Sequence, residues 1–435
     1  MRNVTIVFVG LFLVGCSNST VIQPTPFGVG DLHQLNWRLL EIAMEDGFPP
    51  PIASRVYAYP HIAFYVTMQQ FFPDSLQPIA GRLNGLAPID DVDVKNAHPE
   101  LTALLSFCKT AKKVVFSEQH VDELTSGILL KAEASGLSAA VIEASKKCSD
   151  EITGHIIEWL SKDNYVETRT MDRWTSTKKP GEWIETPPDY GAGMEPNWVK
   201  IRPMVINSAG IYSSTPPPPY DPAKESEFYK MVNVVYQQSK ELDVEKTAIA
   251  LYWDDNPNTS EHHGHLVSVI HKISPPGHWL NIISQISRKD NTSLFKATKA
   301  YTFTSIAMFD VIISCWYVKY KTNLVRPITY IQENIDPNWT PLIQTPPFPE
   351  YTSGHSAISA AAASVLTHMY GDNYAFTDST EVLFNHPIRH FTSFYDAAWE
   401  VSLSRFYAGI HYMNGITEGN KQGKFIGQLV MDSLK

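Results

Sequence analysis

The chain has 435 residues, 43% of them hydrophobic and 11% aromatic, which is enough apolar material for one large or two medium cores and too much for a disordered chain. Its formal net charge of −10 at neutral pH excludes a generally basic surface for nucleic acid, so any cationic site must be local.

The first stretch, MRNVTIVFVGLFLVGC, sets Arg2 before an apolar run too short to span a bilayer and ends in small residues ahead of Cys16. That is the layout of a secretion signal. LVGC also resembles the lipobox of bacterial lipoproteins, which implies removal of residues 1–15, lipidation of Cys16 and a tether over 16–32. The expectation is an exported bacterial lipoprotein facing the periplasm or cell surface, touching the membrane only through its lipid. The other cysteines, Cys108, Cys148 and Cys315, lack zinc spacing. Cys108 and Cys148 either pair in an oxidising compartment or are simply buried thiols.

Apolar residues at i, i+3, i+4 spacing predict helices near 34–46, 60–72, 97–115, 120–146 and 149–161. The periodicity stops over about 165–222, where TKKPGEWIETPPDYGAGMEPNW and YSSTPPPPYDP are too aromatic for a flexible linker and read as an ordered Pro-rich loop packed over helices. Helical spacing resumes near 224–252, 262–273, 277–288, 292–320, 354–370, 391–408 and 412–432, and no strand pair is evident. The reading is an all-α protein of two helical bundles, with an N-terminal part over about 33–164, the loop over 165–222 and a C-terminal bundle over about 223–435.

Three clusters in the last third carry chemistry. KYKTNLVRP places Lys319 and Arg326 two helical turns apart, with Arg326 biased out of the helix by Pro327. PPFPEYTSGHSAIS brings Ser353, Gly354 and His355 to a helix start, where a hydroxyl and free backbone N–H groups suit an oxyanion; an N-cap role explains Ser353 equally well, but not His355. SLSRFYAGIHY separates Arg405 from His411 by a spacing that diverges on an unbroken helix, so a shared target requires a break, and Gly409 is placed to make it. SEHHGHL, with His262, His263 and His265, lacks a carboxylate partner at metal-site spacing.

In that order and spacing, K-x6-R-P, S-G-H and S-R-x5-H resemble the active-site signature of the vanadium-dependent haloperoxidases, which share fold and site with the type-2 phosphatidic acid phosphatase superfamily. ALYWDDNPNT, SPPGHWLNIISQIS, WIETPPDYGAGMEPNW and GIHYMNGITEGNKQG are similar to bacterial members, the iodoperoxidases above all. The resemblance implies vanadate as cofactor, with Lys319, Arg326, Arg405, Ser353 and Gly354 around its equatorial oxygens, His411 as the axial ligand to vanadium, and His355 as acid/base. It also places Trp316 and Phe348 on the halide side, although ordinary packing explains both equally well. It implies hydrogen peroxide and a halide as substrates, iodide first and bromide next, with an organic acceptor left open. Two positions depart from the family. Thr352 stands where a Pro usually precedes Ser-Gly-His, and Gly415 where an Asp often orients the axial histidine. Asp254 or Asp255 of WDDNP is a candidate to hold an arginine.

The same residues also suit an acid phosphatase working through a phosphohistidine at His411, because phosphate and vanadate are near-isosteric. Trp316, Phe348, the long loop and the lack of several apolar spans favour the peroxidase.

Overall fold

The computed structural model describes residues 26–90 and 92–435; Cys16 and the signal-like segment lie outside the described residues. The chain is helical, as its periodicity predicts. Helix α1 (Val29–Glu45) begins inside the stretch read as tether, and Phe27 is already buried, so the packed body starts a few residues earlier than expected. Helix α2 (Pro50–Phe71) opens on two prolines, whose missing N–H groups cost nothing in a first turn. It is followed by α3 (Pro99–Ala111), α4 (Glu118–Ala134) and α5 (Ala139–Leu160). The single helix expected over 120–146 is broken at Gly136, where φ is +85°, and restarts where the Ser138 hydroxyl accepts the Val141 N–H. Cys108 and Cys148 are both free, buried thiols, so no disulfide joins them.

A single turn, α6 (Tyr165–Thr168), leads into the long loop, which is fastened along its length. Asp310 accepts the Met204, Val205 and Ile206 N–H groups, Trp183 N–H donates to Asn323 O, and Glu418 receives Tyr212 Oη and Thr215 N–H. Helices α7 (Glu227–Lys240) and α8 (Val244–Tyr252) follow. The helix expected over 262–273 is instead a hairpin, β1 (Thr259–His263) with β2 (Leu266–Ile270), Thr259 facing Ile270 and Gly264 turning at φ +62°. A short apolar run such as LVSVI fits either period, and its β-branched residues decide for strand. His262, His263 and His265 thus lie on this hairpin and its turn.

The remaining elements are α9 (Pro275–Lys289), α10 (Leu294–Thr322), α11 (Pro327–Asn334), α12 (Gly354–Tyr370), a second small hairpin of β3 (Phe376–Asp378) and β4 (Arg389–Phe391), α13 (Phe394–Tyr407) and α14 (Met413–Leu434). Helix α10 is long and apolar enough to cross a membrane, yet it is buried inside the protein. It packs on α2 on one side and on α12 and α14 on the other, and one apolar core runs continuously from Phe27 to Leu434. Helices α12 and α14 meet through small residues: a Cβ on Gly423 would lie 2.2 Å from the Ala357 carbonyl oxygen, and one on Gly427 2.7 Å from the Ala361 carbonyl oxygen. This close approach sets the start of α12 against the residues that follow His411.

Candidate active site

Two helix ends and two helix starts bring the three motifs to one buried point. Lys319 sits on the last turn of α10, whose end is closed by Asn323 in the left-handed region. Arg326 is extended, as a residue before proline prefers, and forms the N-cap of α11. Ser353 is the N-cap of α12, its Oγ accepting from Ser356 N–H at 3.4 Å and Ser356 Oγ–H at 3.0 Å. Helix α13 stops just after Arg405: Gly409 N–H donates to Phe406 O, Ile410 N–H donates to Arg405 O, and Gly409 takes φ +79°. This paired 5→2 and 6→1 closure needs a residue free to be left-handed. It folds His411 back over Arg405, the break the spacing required.

The cations are held by carbonyls, not by carboxylates. Lys319 Nζ donates to Pro349 O and Glu350 O, both at 3.0 Å. Arg326 donates from Nε to Phe348 O at 2.9 Å and from Nη1 to Ile410 O at 2.8 Å. Arg405 Nη1 donates to Trp253 O at 2.6 Å and Asp254 O at 3.2 Å. The WDDNP stretch therefore holds an arginine as expected, but through main-chain oxygens; the Asp254 carboxylate pairs with Lys272 and that of Asp255 with His278. Burial pulls the Lys319 amine down to about 7, with Arg326 adding to the effect, and lowers both guanidinium groups to about 10, still charged at neutral pH. Arg405 Nε and Nη2 are buried and have no hydrogen-bond partner among the described residues. Leaving donors of a buried cation unmatched costs more than the roughly 1–3 kcal/mol of a neutral group, so the arrangement fits an oxyanion that accepts them.

His411 is fixed in one tautomer. A guanidinium only donates, so Arg326 Nη1, 3.2 Å away, meets a lone pair on His411 Nε2. Nδ1 then carries the proton and donates to Glu350 Oε1 at 2.6 Å. Burial, followed by Arg326, Lys319 and Arg405, holds the ring well below the usual imidazole range, so it stays neutral, with an unprotonated Nε2 that meets only Arg326 Nη1 among the described residues. Glu350 went unmarked in the sequence. It fills the place left by Gly415, where a Cβ would lie 2.5 Å from Glu350 Oε1. Thr352 likewise replaces the usual proline with a tether: its hydroxyl donates to Gln422 Oε1 at 2.7 Å, and Gln422 in turn donates to Ser314.

His355 stands on the first turn of α12, half-buried, with Nε2–H donating to Asp254 O at 3.2 Å and Nδ1 left as the basic atom. Burial and Arg405 hold it well below the usual range, in its proton-accepting form. Trp316 and Phe348 pack at 5.2 Å between ring centroids, with Lys319 Nζ 4.8 Å and Arg326 Cζ 4.9 Å from the Phe348 centroid. They line a narrow cavity with Met194, Pro346, His355 and Arg405. Met194 comes from the long loop, its carbonyl accepting from Trp316 Nε1 and Tyr320 Oη. A roomier cleft of about 690 Å³ beside Lys178, Glu182 and Tyr220 is lined by none of these groups.

Residues 332–435 match the family model described as the VCPO second helical-bundle domain. The fold superposes on the crystal structure of the first bacterial vanadium-dependent iodoperoxidase with a TM-score of 0.88 and 41% sequence identity, over 94% of this chain and 97% of that one. It also resembles holo-type and apo-type bacterial vanadium-dependent chloroperoxidases, with TM-scores of 0.64 and 0.62 at 15% and 14% identity, covering 89% and 96% of this chain and 93% and 96% of theirs, a likeness of fold alone. No curated protein sequence matches the chain. With a relative this similar along nearly its whole length, the chain belongs to the vanadium-dependent haloperoxidases, oxidoreductases whose cofactor is vanadate.

Proposed function

We propose that this enzyme oxidises iodide with hydrogen peroxide, with vanadate seated among Lys319, Arg326, Arg405, Ser353, Gly354 and His411. The observation that supports the placement is the buried pair of Arg405 donors left without a hydrogen-bond partner among the described residues, on a side chain that lines the cavity beside His355. Iodide is preferred to other halides because the relative that shares 41% identity is an iodoperoxidase. When bound, vanadate supplies a Lewis acid that makes peroxide electrophilic toward halide.

The chain's own residues do the rest. The three cations and the free N–H groups at the start of α12 bind and orient the anion, and their worth rises where water is excluded. His411 Nε2 offers the ligand pair, held in aim by Glu350. His355 Nδ1 accepts the proton of incoming hydrogen peroxide and returns one to the departing oxygen. Trp316 and Phe348 form the apolar wall beside the cations on which a soft, weakly hydrated halide is favoured.

Protein stripped of vanadium is expected to be inactive and to gain triiodide formation on adding orthovanadate, with phosphate competing. Iodide oxidation without vanadate, rescue by iron or copper, or phosphate-monoester hydrolysis without peroxidase activity would overturn this reading. We further propose that the protein is exported and anchored through lipidated Cys16; Cys16→Ala should then release active enzyme from the membrane fraction.

A further inference from the structure

Beside Arg405 lies a buried charge cluster, of which Asp255 alone among the described residues also lines the cavity. His278, on α9, is fully enclosed, with Nδ1 3.0 Å from Asp255 Oδ1 and Nε2 2.7 Å from Asp378 Oδ2. A ring that meets a carboxylate at each nitrogen donates at both, so it is an imidazolium bridging two chain segments. Asp378 is fixed from its other side by Thr380 N–H, Thr380 Oγ1 and Gln285 Nε2. Asp255 takes φ +40°, a conformation that non-glycine residues rarely adopt and that persists only when its surroundings enforce it.

The bridge lies against the segment whose carbonyls hold Arg405. The His278 ring stacks on the Trp253 indole, 4.5 Å between centroids at 28°. The Trp253 Nε1–H donates at 2.9 Å to Glu400 of α13, the helix that carries Arg405. The Asp254 side chain is tied to Lys272 at 2.6 Å. Both neighbours of the Trp253–Asp254 peptides are therefore pinned, and those carbonyls hold Arg405 Nη1 and His355 Nε2. The other titratable groups around the ring are Glu381, whose Oε1 lies 3.7 Å from Nδ1, and Tyr252, whose ring centroid is 5.9 Å away.

We propose that His278 is a positioning residue for the anion pocket: bridging Asp255 and Asp378, it fixes the Trp253 and Asp254 carbonyls that aim Arg405 and His355. The proposal rests on the placement of vanadate against Arg405 given above. Its effect is one of aim. With Nη1 tied to two oxygens, the Arg405 guanidinium, which lines the cavity, is held in one orientation with Nε and Nη2 left for an anion. Glu381 Oε1 has no hydrogen-bond partner among the described residues and, with Asp255 and a His278 ring nitrogen, forms a ligand set that a divalent cation would suit if the ring were neutral. That arrangement and the imidazolium bridge are mutually exclusive.

The test compares full-length wild-type protein with His278→Gln, and with Arg405→Ala as the control for the vanadate site. Vanadate affinity is measured by isothermal titration, triiodide formation at saturating vanadate, thermal midpoint by circular dichroism, and bound metal by elemental analysis. His278→Gln should bind vanadate about tenfold or more weakly, as loss of a supporting shell typically does. Phosphate inhibition should weaken in parallel, and the iodide KM should stay near wild type once vanadate is saturating. A merely structural role would lower the thermal midpoint and leave the affinity of the folded fraction unchanged, and that result would overturn the proposal. If Arg405→Ala also binds normally, it is the vanadate placement that fails; if only Arg405→Ala is impaired, the fault lies with His278 alone. Stoichiometric divalent metal in the wild type, lost in His278→Gln, would replace the bridge with a metal site. Should His278→Gln not fold, Asp378→Asn removes one end of the bridge at nearly constant volume and decides by the same readings.

Discussion

Glu350 Oε1 lies 2.6 Å from His411 Nδ1, in space that any side chain at position 415 would invade. The two positions act as one unit, with Gly415 empty so that Glu350 can reach the histidine. Glu350→Gln keeps an acceptor but loses the charge, and should weaken vanadate binding by about 10–100-fold. Gly415→Ala should push the carboxylate aside and act in the same direction. Because both changes remove one contact, the double variant should be little worse than the worse single one, a coupling that a double-mutant cycle on vanadate affinity measures. Additive losses would show that Glu350 is not the orienter.

Burial, aided by Arg326, brings Lys319 to about 7, so in anion-free protein it loses its charge as pH rises through neutrality. Binding a trianion-like ligand restores the proton. Phosphate, used as a competitor of vanadate, should therefore bind more weakly above pH 7, approaching tenfold per pH unit for this one proton. Lys319→Met should bind weakly throughout and lose that part of the slope. The stability sign is the reverse. Between about 7 and the ordinary 10.5, the unfolded chain binds a proton that the folded one has released, so this lysine makes the anion-free protein more stable as pH rises. Glu350, pushed up to about 7 by burial against the pull of Arg326 and Lys319, works the other way between 4.5 and 7, where the folded state keeps a proton that the unfolded state has lost. Calorimetric midpoints of wild type, Lys319→Met and Glu350→Gln across pH 4–10 separate the two.

How much of this was legible in the sequence follows from what each residue depends on. Gly409 between Arg405 and His411, and Pro327 after Arg326, act on their neighbours' backbone, so their effect is local and readable. Glu350 acts through space, across a loop of proline and aromatic residues without periodicity. Its one signal is that no other Asp, Glu, Lys or Arg occurs between Asp336 and Asp372. The WDD carbonyls that hold Arg405 carry no side-chain signature at all. LVSVI fits a helix as well as a strand because five apolar-rich residues do not define a period.

The contact of α12 with α14 allows a stability prediction. An alanine in an exposed helix would gain up to about 1 kcal/mol over glycine. At Gly423 the new Cβ would meet the Ala357 carbonyl oxygen at 2.2 Å and the Ala360 Cβ at 2.7 Å, both on rigid helix. Sterics should win, and Gly423→Ala should destabilise the protein by about 1–3 kcal/mol. A raised thermal midpoint would mean that the helices part without cost.

The last prediction separates the two histidines by their tasks. His411 presents a lone pair whose partner atom is held by Glu350, while His355 presents a basic nitrogen at the cavity and donates its other N–H to Asp254 O. On the proposed placement, His411→Ala removes the nitrogen assigned to vanadium and leaves ionic capture by Lys319, Arg326 and Arg405; vanadate affinity and turnover should both collapse. His355→Ala leaves that capture and the His411 nitrogen in place. It should still bind vanadate measurably while turnover falls by roughly 10²–10⁴-fold, the usual worth of a positioned acid/base. The acid side of the pH profile carries a further sign. Burial and Arg405 hold His355 below the ordinary imidazole range, so wild type should keep its base, and its rate, to a lower pH than a free imidazole would allow. Titration calorimetry with vanadate and initial rates of triiodide formation on both variants give the comparison. Equal loss of vanadate binding in the two, or near-normal turnover in His411→Ala, would reverse the assignment of ligand and acid/base.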